Sequence, residues 1–484
     1  MSEDAATAAA GSQQVECRTV SSSAWREACL DALDRGERFC GAYASGSGAG
    51  RRFTALFARA AKTRAVTAEL DGGGELPTIV DLIPAADWDE REAHDLWGLR
   101  FAGHEPLRPL ANHEADTASW TVPVEGRGTY QVAVGPIHAG VIESGHFRFH
   151  VVGERILQMD PRLFYKHRGL ERAAEGRRPS EGLAFAARAC GAGAVTNSVA
   201  YAHACESALG LVPSRAIRRA RTVLLELERL YNHLNDVAAI CAGVGFAAGN
   251  MAFTALKERA LRLNRELSGH RFLFGTVSVG ASRFELASPA AADARGTLAE
   301  LAADAAGAWR EVAFAASVQE RLGGVGVLAV EDAVELGAVG PAARASGVNL
   351  DVRSASPGLW YGPAFAPARP TTASGDVAAR LELRAAELTV TFTLLDELLA
   401  EPVAADAASP GRSGGAVGVA RVEGPRGETV CVAELEGETL RRWHLRTASY
   451  ANWPAVARAT AGNLLPDFPL INKSFELCYA CVDR

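Results

Sequence analysis

The chain has 484 residues, too many for one ordinary core, so at least two domains are expected. Apolar residues make up 48% and charged residues 22%, the balance of a globular protein, and a net charge of −7 gives no electrostatic reason for a nucleic-acid partner. No stretch reaches the ~18 apolar residues of a membrane span, and the acidic, small-residue start lacks the basic and apolar regions of a secretory leader, so a cytoplasmic location is expected.

Residues 1–15 are expected as a disordered tail and residues 16–115 as a small α/β domain. Within it, residues 78–83 suit a strand. Residues 87–96, acidic at their start, suit a short helix with favourable N-terminal charge. Residues 111–128 read as a linker rich in Ala, Asp, Thr, Gly and Pro. A second domain, residues 125–484, opens with the alternating runs YQVAVGPIH and HFRFHVV and turns mostly helical after about residue 180. Its clearest helix spans residues 214–237, capped by Ser214, with Ile217, Leu224, Leu227, Leu230, Tyr231 and Leu234 at helical spacing. Further helices are expected near 252–268, 294–321 and 375–400, and a flexible loop at 404–415. The fold class is therefore α+β.

The nine cysteines are sparse, and only Cys478 and Cys481 form a close pair. A disulfide scaffold is not expected, and isolated cysteines such as Cys241 read as small buried apolar residues. Taken alone, a single Cys-x-x-Cys is as readily a zinc or redox pair as anything else. Arg344 and Arg353 can pair with Asp351, and His167 and His233 read as packing or helix-surface residues.

Three separate segments carry a family pattern. The first is Trp88-x-Glu90-Arg91-Glu92, with Asp95-Leu96-x-Gly98 and Phe101-x-Gly103-His104. The second runs from Gly135 to Gly176 and holds Tyr165-Lys166-His167-Arg168-Gly169-Leu170-Glu171. The third is the C-terminal stretch with Cys478 and Cys481. Gly340-Pro341-x-x-Arg344, Pro425-Arg426-Gly427 and Asn452-Trp453-Pro454 lie between them in colinear order. Together they resemble the large subunit of group 4 nickel-iron hydrogenases, of the formate hydrogenlyase and hydrogenase-4 type. That subunit is related to the fused small hydrophilic and quinone-pocket subunits of respiratory complex I.

The resemblance implies a nickel-iron centre held by two distant Cys-x-x-Cys pairs, since soft thiolates suit both metals. Here the first pair reads Arg188-Ala189-Cys190-Gly191-Ala192-Gly193, so Gly193 stands at a bridging cysteine's place. Cys190, Cys478 and Cys481 remain as metal ligands. Glu143 resembles the family's proton-gate carboxylate, with His146 in support. Arg426 resembles the arginine held over the open side of the metal. Thr447 and Ser449 stand where groups hydrogen-bond the diatomic ligands of iron, although the proline expected between them is Ala448.

No cysteine group suits an iron-sulfur cluster, so the resemblance implies an iron-sulfur small subunit as partner. It also implies antiporter-like membrane subunits, hence peripheral attachment to the cytoplasmic membrane. No Gly-x-Gly-x-x-Gly loop supports direct NAD binding. The expected function is that of an oxidoreductase large subunit at the position of H2/proton chemistry. The alternative is a metal-poor relative that binds a quinone or another small molecule in the vacated cavity, or that couples its partners structurally.

Overall fold

The computed structural model describes residues 15–70, 75–114, 116–138, 143–355, 358–362, 365–411 and 414–484. The tail expected at the start of the chain therefore lies, but for Val15, outside the described residues.

The N-terminal part is a four-stranded sheet of β1 (Val15–Ser21), β2 (Arg38–Ser45), β3 (Arg52–Arg59) and β4 (Lys62–Glu69), in the order β1-β4-β3-β2. Only the β1–β4 pair is parallel. Helix α1 (Trp25–Asp34) buries Trp25, Ala28, Cys29 and Ala32, one apolar stripe at helical spacing. That stripe covers Phe53, Ala55 and Phe57 on one sheet face. On the opposite face Leu56, Ala58, Tyr43 and Cys40 meet Val419, Val430 and Val432 from the far end of the chain. Burial on both faces explains strands that read as near-continuous apolar runs.

The strand expected at residues 78–83 is a turn; the strand there is the shorter Glu75–Pro77, parallel to Arg100–Ala102. The cause is the buried carboxylate of Glu90. It accepts hydrogen bonds from Ile79 N at 2.8 Å, which takes that backbone donor out of a ladder, and from the Thr78 hydroxyl at 2.7 Å. The expected acidic helix is present as α2 (Asp87–Trp97). The linker is anchored: Asp116 caps the turn Thr117–Trp120, and the buried Trp120 ring lies under the Arg162 guanidinium.

A three-stranded meander follows, β7 (Thr129–Val134), β8 (His146–Val152) and β9 (Arg155–Arg162), counting the two short strands at 75–77 and 100–102 as β5 and β6. Next come α3 (Pro179–Arg188), α4 (Ala194–Leu209), α5 (Arg215–Gly243) and α6 (Ala247–Ser268). Ser214 caps α5 as expected, accepting from Ile217 N at 3.3 Å. The helix runs six residues past residue 237 and is buried on nearly all sides, packed by α4, by α6 and by later helices. His233, read as packing or surface, is fully buried.

The helix expected at 294–321 is two: α7 (Ser288–Phe314) and the short helix Ala316–Leu322, about two turns, broken at the extended Ala315. Short α8 (Gly340–Ala345) and long α9 (Val377–Leu398) follow, the latter capped by Asp376. The expected loop at 404–415 holds two-residue strands, Asp406–Ala407 and Ser409–Pro410. They pair back to residues 281–282 and 211–212.

A sheet then appears within the region expected to be mostly helical: β10 (Val417–Gly424), β11 (Gly427–Glu436) and β12 (Thr439–Arg446), antiparallel. It is sandwiched between α4 and the N-terminal sheet. The chain closes with α10 (Ala448–Thr460), α11 (Phe468–Phe475) and the single turn α12 (Ala480–Asp483). No helix among the described residues is long and apolar enough to cross a membrane.

Candidate metal centre

Cys190 follows α3 in extended conformation, and a short turn, Gly191–Gly193, leads into α4. Helix α5 pins that turn. Tyr231 Oη donates to Gly191 O at 3.0 Å and Asn232 Nδ2 to Ala192 O at 2.9 Å. The Glu228 carboxylate accepts from Val195 N at 2.6 Å, from Thr196 N at 3.0 Å and from the Thr196 hydroxyl. It thereby satisfies the orphan donors at the start of α4. Burial pushes the Glu228 carboxyl up to about 7 against those hydrogen bonds.

The second cysteine pair is held by three distant segments. Ser449 Oγ accepts from Cys478 N at 3.0 Å, and Thr447 Oγ1 donates to Cys481 O at 3.2 Å. Glu143 Oε2 accepts from Ala480 N at 2.8 Å. The Asp483 carboxylate accepts from Phe164 N at 2.6 Å and Lys166 N at 2.8 Å, and its carbonyl meets His167 Nδ1 at 2.7 Å. Arg484 pairs with Glu92 and, at 2.9 Å, with Glu171. The family runs around residues 88–92 and 165–171 thus hold the C-terminal turn in place.

The result is one cavity of about 30 Å³ lined by Cys190, Cys478, Cys481, Gly193, Asn197 and Arg426, with Thr447 and Ser449 in its wall. The three sulfurs lie within 4.8 Å of one another, and Cys190 Sγ and Cys478 Sγ are 3.0 Å apart. The Cys478 and Cys481 thiols donate to Cys190, which pushes the Cys190 thiol well below its ordinary value and the two donors above theirs. Arg426 donates to Asn232, to Glu476 O at 2.8 Å and to Asp236 at 3.0 Å. Burial opposes its charge, but Asp236, Glu476 and the cysteines keep it protonated.

Glu143 Oε2 stands 3.9 Å from Cys478 Sγ. His146 was expected to support it. Instead His146 sits on β8 against the Trp120 ring, 5.3 Å between centroids, with Tyr165 Oη at 3.5 Å. Strand geometry aims it at the linker rather than at the thiols. Thr447 and Ser449 reach the cavity, but their oxygens are committed to the cysteine backbone. Sequence reading missed Asn197, Glu228, Asn232 and Asp236. The last three share the i, i+4, i+8 spacing of one polar stripe on an otherwise apolar helix, which is the signal that could have found them.

The residues do not fit the binuclear centre that the resemblance implies. Such a centre needs four thiolates, two of them bridging, and Gly193 supplies none. Cys205 is no substitute: it is buried inside α4 beside Tyr201 and outside the thiol group, and burial pushes its thiol up to about 12.

A helical body that brings cysteines from two distant turns to one cavity, behind a small fused α/β unit, defines the two-part large subunits of complex I-related oxidoreductases. Comparison agrees. Residues 21–123 match the family described as the respiratory-chain NADH dehydrogenase 30 Kd subunit, and residues 243–410 and 412–484 match its 49 Kd subunit. Formate hydrogenlyase subunit 5 of Escherichia coli (strain K12) is 32% identical over 443 residues, which cover 85% of this chain and 77% of that one. Hydrogenase-4 component G of the same organism is 32% identical over 441 residues, 85% and 76% of the two chains. In fold, the chain is similar to a subunit of the membrane-bound sulfane sulfur reductase, an archaeal respiratory membrane complex. There the TM-score is 0.68 at 24% identity, over 75% of this chain and all of that one. The chain belongs to the complex I-related family of hydrogenase large subunits, whose members are oxidoreductase subunits.

Proposed function

We propose that this chain is the large subunit of a membrane-attached, complex I-related oxidoreductase whose thiol cavity couples proton movement to the electron transfer of the assembly. An iron-sulfur small subunit exchanges the electrons, and antiporter-like membrane subunits anchor the assembly. The observation that carries this reading is the joint placement of three thiols, the Glu143 carboxylate 3.9 Å from Cys478 Sγ, and the Arg426 guanidinium around one water-sized cavity.

Each residue has a task. Glu143 Oε2, 3.9 Å from Cys478 Sγ, is placed to exchange a proton with a species held in the cavity. Arg426, locked by Asn232 and Asp236, offsets negative charge without leaving its place. Ser449, Thr447 and Asp483 fix the C-terminal turn so that little reorganisation accompanies charge transfer. A cavity of about 30 Å³ admits one or two water-sized species between the thiols.

The test uses the purified complex. Nickel well below one per chain and no H2-dependent dye reduction are expected, because the ligand set is not that of the binuclear centre. Stoichiometric nickel with H2 uptake would return the chain to ordinary hydrogenase chemistry. Glu143→Gln should slow electron passage through the complex by about 10²-fold; an unchanged rate uncouples this cavity from the electron transfer of the assembly.

A further inference from the structure

The mismatch between the thiol set and a binuclear centre has a constructive side. We propose that Cys190, Cys478 and Cys481 hold a single thiophilic divalent ion of the zinc class, its fourth position open to a small exogenous ligand beside Asn197. This goes beyond the proposed function: an ion of this class is redox-inert, so it gives the cavity a ligand-holding and proton-moving part while electrons pass elsewhere, and what the thiols hold can be measured without turnover.

Three thiolates are too few for two metals but match a mononuclear site with three protein ligands and one open position. Bonds of about 2.3 Å in a tetrahedron set the sulfurs about 3.8 Å apart. Here the three sulfurs lie within 4.8 Å of one another, with Cys190 Sγ and Cys478 Sγ at 3.0 Å, so adjustments of about an ångström close the set. Glu143 is turned to Ala480 N and lies outside that group, leaving a soft all-sulfur donor set that favours zinc-class ions over magnesium or calcium. Binding displaces the remaining thiol protons to solvent, and no electron changes hands.

The fourth position follows from two neighbours. Gly193 has φ −125°, which any L-residue adopts. A Cβ built there finds the Asn197 side chain as its nearest neighbour, at 3.5 Å. The backbone therefore does not require glycine, and the space beside the thiols is open. Asn197 is 1% exposed, lines the cavity, and its Nδ2 has no acceptor among the described residues. A buried N–H of this kind calls for a partner. An acceptor atom bound to the ion at the open position supplies it. The cavity volume limits that ligand to one or two heavy atoms, such as water, hydroxide or cyanide.

The experiment takes the full chain, purified under reductant and stripped of metal, and titrates it with Zn2+, and with Co2+ as a coloured stand-in. One ion per chain is expected, with a sulfur-to-cobalt charge-transfer band and a ligand-field spectrum that shifts on adding cyanide. Cys190→Ser, Cys478→Ser or Cys481→Ser should bring uptake far below one ion. Gly193→Cys should bind the ion more tightly and abolish the cyanide shift. Asn197→Ala should keep the ion and weaken the cyanide response about tenfold or more. In the native chain, bound Zn2+ should protect Cys478 from alkylation, a readout that survives if serine variants misfold. No stoichiometric uptake, unchanged alkylation with Zn2+ present, or a cyanide shift that persists in Gly193→Cys would each overturn the proposal. So would stoichiometric nickel and iron together.

Discussion

Arg426 stands over the thiols because two backbones cross there with no side chain between them. Gly340 has φ +67°, and a Cβ on it would lie 2.2 Å from Arg426 O. Gly427 has φ +126°, and its Cβ would lie 2.6 Å from Gly340 N. Neither neighbour is a flexible side-chain end, so the backbone itself must move to admit a methyl group. Gly427→Ala is expected to cost about 1–3 kcal/mol and to pull Arg426 away from Asp236. Denaturant unfolding and the structure of the variant check this; a melt matching the parent would mean the crossing is not tight. The glycines and Arg426 were legible in the sequence through their motifs, as were Cys190, Cys478, Cys481 and the missing thiol at Gly193. His146 was misread because proximity in sequence to Glu143 says nothing about which face of β8 a side chain takes. Asn197 was missed because a lone asparagine in an alanine-rich helix carries no spacing signal of its own.

At the scale of elements, α5 shows where pattern reading stops. Its cap and apolar stripe predict the helix well. Its polar face, which pattern alone would leave to solvent, is buried, because partners far along the chain neutralise it. Arg384 reaches Asp236 at 3.1 Å, Glu387 reaches His233 at 2.7 Å, and Arg353 stands 3.5 Å from Glu226. Arg344 on α8 completes the network through Glu387 at 2.5 Å and Glu423 at 2.8 Å, and both it and Arg353 meet Asp351 as the sequence suggested. Buried pairs of this kind are weak stabilisers when whole and costly when halved. Arg344→Met should destabilise the chain by about 3–5 kcal/mol, read as a lower denaturant midpoint. A loss under about 1 kcal/mol would show that the carboxylates neutralise themselves by protonation. The sheet β10–β12 was illegible for a related reason. Packed on one face by α4 and on the other by the N-terminal sheet, it lacks the clean alternation that marks a half-buried strand.

At the scale of the molecule, the N-terminal unit is built into the rest. Arg446 pairs with Asp89 at 3.0 Å, Arg38 with Glu428 at 2.5 Å, and Tyr43 Oη donates to Glu434 at 2.9 Å. Linkage through such buried groups sets the pH response of the whole chain. Burial raises Glu228 from 4.5 to about 7, so between those values the folded state binds more protons than the unfolded one. Stability from this group is present below about pH 4.5 and is lost as pH rises to about 7. His104 acts in the same direction. Burial opposes its charge, but Asp87 and Glu90 raise it from 6.5 to about 9, so its contribution is lost as pH rises through about 9. Asp87 works the other way. Burial is outweighed by Arg91 and His104, which lower it to about 2, so its contribution is lost only as pH falls below its ordinary value towards about 2. The metal-free chain should therefore be most stable on the acidic side of neutrality and should lose stability steadily towards pH 9. Glu228→Gln should flatten the arm of the melting curve that ends near pH 7, and His104→Gln the arm that ends near pH 9. Parallel slopes for Glu228→Gln and the parent below pH 7 would show that the three donors at the start of α4 hold Glu228 ionised, and that helix capping outweighs burial there.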